Sequence, residues 1–294
     1  MLDTAGDFLG RVTFVTGPGK HCGKTTFMNR AAGLSRRGAA MEGRPGPALL
    51  TVGYDGEARD YLAGMRKPAV PVGVGDIFVT TERFARPCSP EILELVPGST
   101  ALGRLCVARA TRAATVALVG PEGNALVAWA VGCIIDSGWT DTVLVDGAFN
   151  RLTQVASIQG ARFVCVVRAE KSTLQQAAAQ VRRLARLVRL PVAADVGASY
   201  RLADALTSET AARLPAAART VVVADLTKVF LPDAELAAFI RERELYVGRS
   251  LGFGGFIVAC RGISDDMFLA ALADDSIAPL VAFNPYETGV GRAA

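Results

Sequence analysis

A short run near the N-terminus, Gly23-Lys24-Thr25-Thr26, combines a glycine, a cation and two hydroxyl groups. A lysine ammonium can neutralise phosphate oxygens, and a neighbouring threonine hydroxyl can coordinate Mg²⁺. Glycine lets the backbone approach an anion closely, and the N–H groups at a helix N-terminus attract negative charge. This set of residues therefore predicts a site for the phosphates of a nucleotide, together with Mg²⁺.

The glycines before Lys24 do not follow the usual G-x-x-x-x-G-K-[ST] spacing of a phosphate-binding loop. That pattern requires glycine at position 18, where the chain has Pro18. A loop that starts at Gly17 is one residue longer than the pattern, and a loop that starts at Gly19 is one residue shorter. The residues that we expect to bind the nucleotide are Gly17, Gly19, Lys20, His21, Cys22, Gly23, Lys24, Thr25 and Thr26.

Two residues inside this loop can be read in two ways. Lys20 would either neutralise phosphate or extend into solvent. His21 is the only histidine in the chain, and it would either contact the ligand and shape the loop or simply face solvent. With one histidine and no C-x-x-C pair among the six cysteines, we expect buried free thiols rather than a zinc site.

Two aspartates are candidate partners for the loop. Asp146 ends the apolar run TDTVLVD, and a carboxylate at the end of a buried strand is costly unless it faces a cation or hydrogen-bond donors. Asp55 follows the second predicted strand in the run TVGYDGE. Alternatively, both are turn residues. We expect Thr25, Asp55 and Asp146 to bind Mg²⁺, and Lys24, Asp55 and Asp146 to be catalytic.

The elements that would position these residues alternate along the chain. Apolar runs alternate with helical patterns, which predicts βαβ units and an α/β fold with a mostly parallel, twisted sheet flanked by helices. Strands are predicted at 12–16, 48–52, 77–80, 115–119, 142–145, 162–167, 220–224 and 256–260. Helices are predicted at 24–36, 125–136, 173–188, 234–242 and 265–272, with Ser264 as the N-cap of the last.

We expect residues 1–294 to form a single nucleotide-binding domain. The segment 64–112 is rich in Pro and Gly with short β-like runs, and it is predicted to be a small insertion. Residues 33–47 are rich in Gly, Arg and Pro, and they are predicted to form a mobile loop.

Charge and apolar content argue against two classes of partner. The net charge is only +4, and the densest basic pattern, a helical face without interleaved aromatic residues, is more typical of a solvated surface than of a nucleic-acid site. The longest apolar run, 125–135, is too short to span a bilayer. Asp3 and Asp7 lie where a signal peptide would be basic, so we expect a cytoplasmic protein. The basic face consists of Arg182, Arg183, Arg186 and Arg189.

These motifs together resemble the dethiobiotin-synthetase and MinD-like branch of the P-loop NTPases. Within that branch the chain is most similar to the small reactivase subunit that accompanies lysine 5,6-aminomutase. The likeness covers most of the first 170 residues, and the segments that carry it are Gly17, Lys20, Gly23-Lys24-Thr25-Thr26, Asn29, GYDGE at 53–57, Lys67-Pro68, TALG at 100–103, Gly120-Pro121 and Asp146-Gly147-Ala148.

The resemblance implies an ATP- and Mg²⁺-dependent helper, although GTP in place of ATP stays open because no base-reading motif such as N-K-x-D is present. Such a helper would hydrolyse ATP to drive damaged cofactor out of a cobalamin-dependent aminomutase. Its partners would be that aminomutase and a second reactivase subunit, with a homodimer as one option for its own assembly. One alternative is a dethiobiotin-synthetase-like ligase that acts on a small carboxylate through Lys24 and Lys67. Another is an adaptor that senses nucleotide without hydrolysing it.

Overall fold

Parallel strands and the helices that connect them build the part of the chain that this computed structural model describes, residues 2–19, 21–53, 70–147, 152–193, 197 and 199–283. The strands are β1 (Val12–Thr16), β2 (Ala48–Thr51), β3 (Val70–Val72), β4 (Ile77–Thr81), β5 (Glu91–Leu95), β6 (Leu105–Arg109), β7 (Ala114–Val116), β8 (Val143–Asp146), β9 (Arg162–Glu170), β10 (Tyr200–Arg201), β11 (Thr220–Val223), β12 (Glu244–Val247), β13 (Gly252–Arg261) and β14 (Val281–Phe283). The α-helices are α1 (Lys24–Met41), α2 (Glu82–Ala85), α3 (Asn124–Asp136), α4 (Leu152–Ala156), α5 (Leu174–Val188), α6 (Ser208–Ala212), α7 (Asp233–Glu242) and α8 (Asp265–Leu272).

Nine of these strands form one large sheet in the order β14-β13-β9-β1-β8-β2-β4-β6-β5. Neighbouring strands of this sheet pair in parallel, except that β6 is antiparallel to both of its neighbours, β4 and β5. A three-stranded parallel sheet, β10-β11-β12, and an antiparallel pair, β3-β7, complete the architecture. The predicted α/β fold with a large, mostly parallel sheet is confirmed.

Helices cover both faces of the large sheet. Successive side chains of a strand point to opposite faces, and accordingly Phe14 and Val15 of β1 belong to two separate hydrophobic clusters. Val15 packs in the cluster that contains the apolar face of α1, including Phe27 and Met28. Phe14 packs in the cluster that contains the buried residues of α3 and α5. Strand β1 is therefore buried on both faces, which fixes the position of the loop that follows it.

Each predicted strand and helix overlaps an observed one. The Ser264 hydroxyl accepts a hydrogen bond from the Met267 amide, as predicted for an N-cap.

The predicted loop at 33–47 is wrong, because α1 continues to Met41. Gly38 lies inside this helix, where a Cβ would overlap the side chain of Ala5. The glycine that favours a loop in the sequence is there because the N-terminal segment packs against the helix.

The described part of the segment 64–112 contributes three strands to the large sheet, so it is not only an insertion at the surface. Strand β4 pairs in parallel with β2, and β6 and β5 extend the same sheet beyond it. The β5 and β6 pairing was missed because β5, with the sequence EILEL, is an edge strand whose side chains are exposed or half-buried, so it lacks the apolar run of a buried strand. The division of the whole chain into domains stays a prediction.

The most apolar of the longer helices, α3, is thirteen residues long. A helix that spans a bilayer needs about 20 apolar residues. Within the described ranges, no helix is both long enough and apolar enough to cross a membrane.

Two glycine substitutions should have opposite effects on stability. A Cβ at Gly120 would overlap the carbonyl oxygen of Thr51 at the end of β2, whereas a Cβ at Gly132, inside α3, would meet nothing closer than the Asp136 Oδ2 atom at 3.8 Å. We expect Gly120→Ala to lower the free energy of unfolding by about 1–3 kcal/mol through overpacking. We expect Gly132→Ala to raise it by about 0.5–1 kcal/mol, because alanine is favoured over glycine in a helix. Urea denaturation of both variants measures the two changes, and equal effects would contradict the packing around Gly120.

Candidate phosphate-binding site

The glycine-rich loop lies between β1 and α1, at the carboxyl edge of the parallel strands. Gly17 is packed so tightly that a Cβ there would lie 2.5 Å from the Cys22 Sγ atom and 2.5 Å from the Val166 carbonyl oxygen. In contrast, among the described residues other than its chain neighbours, no atom lies within 4 Å of a Cβ built on Gly19. Only Gly17 is sterically required, so the loop is the longer of the two that the sequence allows.

The backbone of the loop takes the left-handed conformation at two described residues. His21 has φ +58° and Gly23 has φ +99°. Glycine adopts this region freely, and histidine is one of the few other residues enriched there. Gly23 caps α1, and its carbonyl oxygen accepts a hydrogen bond from the Phe27 amide at 2.9 Å. Left-handed residues in such loops turn successive N–H groups toward one concave side, which is an anion-binding arrangement.

Lys24, the first residue of α1, extends back over the loop. Its Nζ atom donates to the carbonyl oxygen of Gly19 at 2.7 Å and lies 3.6 Å from Cys22 Sγ. Cys22 Sγ in turn lies 3.3 Å from the same Gly19 oxygen. The lysine charge is therefore held beside the loop backbone, where the positive end of the α1 dipole adds to it.

The loop rests on a buried thiol of the neighbouring strand. Cys165 of β9 pairs with Thr16, the last residue of β1. Burial raises the pKa of the Cys165 thiol, and the nearby Cys22 raises it further while Lys24 opposes the rise. Cys165 therefore stays a protonated, apolar support beneath the loop. All six cysteines are free, and all are buried apart from the half-buried Cys133, as predicted.

The central contact of the site joins the start of α1 to the end of β8. The Thr25 hydroxyl donates a hydrogen bond to Asp146 Oδ2 at 2.8 Å, between residues 121 positions apart. Asp146 is held on both sides, since it pairs with Val15 of β1 and with Thr51 of β2. The Val52 amide also donates to the Asp146 carbonyl oxygen at 2.9 Å. Hydroxyl and carboxylate are thus placed together by three neighbouring parallel strands.

This pair of oxygen ligands fits Mg²⁺. Magnesium in phosphate sites is bound through one or two carboxylates, with water and phosphate oxygens completing the shell. A threonine hydroxyl beside one carboxylate provides that partial set. Within the residues that the structure describes, no group of three or more His, Cys, Asp or Glu side chains could hold a metal ion. One hydroxyl and one carboxylate leave most of the octahedral shell of Mg²⁺ to phosphate and water oxygens.

The structure brings together part of the predicted site. It joins Gly17, Cys22 and Lys24 around the loop and Thr25 to Asp146, while the exposed side chains of His21 and Thr26 lie at its surface. Lys20, Asp55 and Lys67 lie outside the described residues. Val166 was not predicted, because it contributes a backbone oxygen that any residue type would supply.

Asp225, which ends another apolar run, has a structural role. Its side chain accepts hydrogen bonds from the amide and hydroxyl of Thr227, capping a 3₁₀ turn at Leu226–Lys228. It also pairs with Arg249 at 3.1 Å. Of the two roles that a strand-end aspartate suggests, ligand contact or capping, the structure shows capping.

Comparison of the chain with protein-family models, with curated proteins and with solved structures finds no match. The assignment of the site therefore rests on the geometry of the loop, of Lys24 and of the Thr25–Asp146 pair.

A double-mutant cycle on Thr25 and Asp146 tests this geometry without any ligand. Thr25→Val should lower the free energy of unfolding by about 1.5–3 kcal/mol, because it removes a hydrogen bond to a charged group. Combined with Asp146→Ala, it should show a coupling energy of about 0.5–3 kcal/mol. The matched control is Thr26→Val, an exposed neighbour on the same turn, whose coupling to Asp146→Ala should be close to zero. Equal coupling of both threonines would contradict the contact.

Proposed function

We propose that this protein binds a nucleoside triphosphate with Mg²⁺ and hydrolyses it, and that it belongs to the P-loop NTPase type. The observation that carries this proposal is the 2.8 Å hydrogen bond between Thr25 and Asp146 at the head of a glycine-rich loop. A hydroxyl from the loop and a carboxylate from a neighbouring strand end are the two protein ligands that such sites use for Mg²⁺.

The chain's own groups would divide the work on the triphosphate. The first N–H groups of α1 have no partner within the helix and, with its dipole, would cradle phosphate oxygens. Lys24 would exchange its contact with the Gly19 carbonyl for the outer phosphates, where its charge offsets the charge that develops during transfer. Asp146 would keep the Thr25 hydroxyl oriented. Thr25 and Asp146 would hold Mg²⁺, which when bound neutralises phosphate charge. Asp55, outside the described residues, stays a proposed third participant.

We further propose that hydrolysis serves as a switch for a protein partner. Asp146 is followed directly by Gly147. A change in the bound phosphates would therefore alter the backbone where β8 leaves the sheet. The partner that the motif resemblance favours is a cobalamin-dependent aminomutase, together with a second reactivase subunit. A partner that binds the triphosphate-bound form more tightly would be released after hydrolysis, because a ligand shifts an equilibrium only through differential affinity.

Substitution of Lys24 tests the nucleotide site. Lys24→Met should lower kcat/KM for ATP hydrolysis by about 100-fold or more, the cost of losing one preorganised electrostatic contact to the transition state. Asp146→Asn should have a similar effect, and EDTA should abolish hydrolysis by wild type. The matched control is Lys228→Met, in the 3₁₀ turn next to the small sheet, which should leave the rate within about twofold. Phosphate release with ATP and with GTP, and calorimetric titration of each, provide the measurements. If neither nucleotide binds to wild type, the proposal fails.

The partner is tested separately. ATP hydrolysis should accelerate in the presence of an aminomutase whose cobalamin has been inactivated, and turnover of that mutase should recover with wild type but not with Lys24→Met. An ATP hydrolysis rate that is the same with and without the mutase would contradict the proposed partner, but it would not contradict the proposed nucleotide site. Phosphate release that requires a small carboxylate would instead favour the ligase. Tight binding with turnover no higher than that of Lys24→Met would favour the non-hydrolysing adaptor.

A further inference from the structure

A cavity of about 510 Å³ lies between the ends of α5 and α7, the start of β12 and the segment after α8. Its charged lining consists of four arginines and two carboxylates, and apolar residues with one tyrosine form the remaining wall. Pockets that bury small organic ligands are of this size, roughly 300–1,000 Å³. The arginines are Arg182, Arg186, Arg189 and Arg243.

Hydrogen bonds to neutral oxygens hold three of these arginines in place. Among the described residues, no carboxylate lies within salt-bridge distance of these three. Arg182 Nη1 donates to the carbonyl oxygens of Ala271 and Leu272 at 2.7 and 3.1 Å. Arg243 Nη1 donates to the carbonyl oxygens of Pro215 and Ala218 at 3.0 and 2.6 Å. These bonds fix each guanidinium through a single nitrogen, and a guanidinium has five N–H donors. Within the described ranges these two guanidinium groups make no other hydrogen bond, which leaves their remaining donors for a ligand.

Arg189 and Arg186 differ in their partners. Arg189 donates to the hydroxyl and the carbonyl oxygen of Ser276 at 2.9 and 2.6 Å, and among the described residues no carboxylate lies within salt-bridge distance of it. Arg186 is neutralised, because its Nη1 donates to Asp233 at 2.9 Å. Arg182, Arg186 and Arg189 are spaced four and three residues apart, which places them on one face of the end of α5.

The two carboxylates in the lining are already engaged. Glu244 accepts a hydrogen bond from the Thr220 hydroxyl at 2.9 Å. Asp274 accepts from the Ser276 hydroxyl and amide at 2.6 and 3.0 Å. The pKa of Asp274 is lowered first by the Ser276 hydroxyl and further by the charges of Arg189 and Arg182. Both carboxylates keep their negative charge, but four arginines against these two carboxylates and Asp233, which pairs with Arg186, leave a net positive charge around the cavity.

The apolar part of the lining indicates the rest of the ligand. Leu190 and Leu245 are buried, Tyr246 is half-buried, Pro191 is exposed, and Ile240 is 37% exposed at the mouth. An apolar ring or chain could cover Ile240 and Tyr246 while its anionic group meets the arginines. Arginine is the residue best suited to phosphate, because its planar fork matches phosphate oxygens.

We propose that this cavity is a second ligand site, which binds a small organic phosphate monoester carrying an apolar or aromatic group. The cavity lining shares no residue with the glycine-rich loop or with the Thr25–Asp146 pair. A ligand here would not compete with nucleotide, so the proposal does not depend on the function proposed for the loop.

The test is calorimetric titration of the full chain with phenyl phosphate, carried out with the Lys24→Met variant so that the loop does not contribute. Ile240→Glu adds a negative charge at the exposed mouth of the cavity without burying a new group. We expect it to weaken phenyl phosphate binding at least tenfold. The matched control is Met267→Glu, a similarly exposed apolar residue near the start of α8 that does not line the cavity, and it should leave the affinity within twofold.

Arg189→Gln provides an independent second variant, and it should also weaken binding at least tenfold. Inorganic phosphate should bind more weakly than phenyl phosphate because it lacks the ring, and raising the salt concentration should weaken both. Thermal unfolding of each variant reports on folding, and Ile240→Glu carries the test if Arg189→Gln is unstable. The proposal is overturned if phenyl phosphate does not bind at millimolar concentration, or if Ile240→Glu binds it as tightly as the Met267→Glu control.

Discussion

The geometry of the candidate phosphate site depends on the parallel pairing of β1 with β8. Val15 lies opposite Asp146 in this register, and α1 begins eight residues after β1 ends, so Thr25 and Asp146 meet at the same edge of the sheet. A shift of one residue would turn the Asp146 side chain to the other face, because side chains alternate along a strand. The register is itself held by burial, since β1 and β8 are covered by apolar side chains on both faces. The hydrophobic core therefore positions the only carboxylate that contacts Thr25 among the described residues.

A second constraint acts on the loop. Gly17 passes so close to Cys22 and to the Val166 backbone of β9 that no side chain fits there, and the loop must leave β1 along one path. The extra residue relative to the usual spacing is accommodated by left-handed backbone at His21 and Gly23. Together these features keep the glycine-rich segment folded over the end of the sheet, with Lys24 in contact with it. An unusual spacing thus coexists with an anion-binding arrangement.

The two proposed sites share no residue and use positive charge in different ways. At the loop, a single lysine and a helix N-terminus would act on a ligand that brings its own metal ion. In the arginine-lined cavity, carbonyl or hydroxyl oxygens fix three arginines, so each guanidinium is oriented by neutral partners. Helix α5 carries two of the cavity arginines and packs on β9, the strand that supports the loop from below. The fold therefore offers a mechanical connection between the sites, although each is defined by its own contacts.

The sequence alone determined the α/β class, because apolar runs and helical periodicity are local patterns that burial enforces on each segment separately. It also singled out Lys24, Thr25 and Asp146. A lysine and a threonine after a glycine-rich turn, and an aspartate at the end of an apolar strand, stand out in any context. It could not decide whether the loop starts at Gly17 or Gly19, because that depends on the approach of Cys22 and Val166 from elsewhere in the fold. It misread residues 33–47 because Gly38 is required by packing against Ala5, and it treated the arginines of α5 as a solvated face. Only the tertiary structure brought those arginines to a cavity with β12 and the segment after α8, since contacts between distant segments leave no periodic trace in the chain.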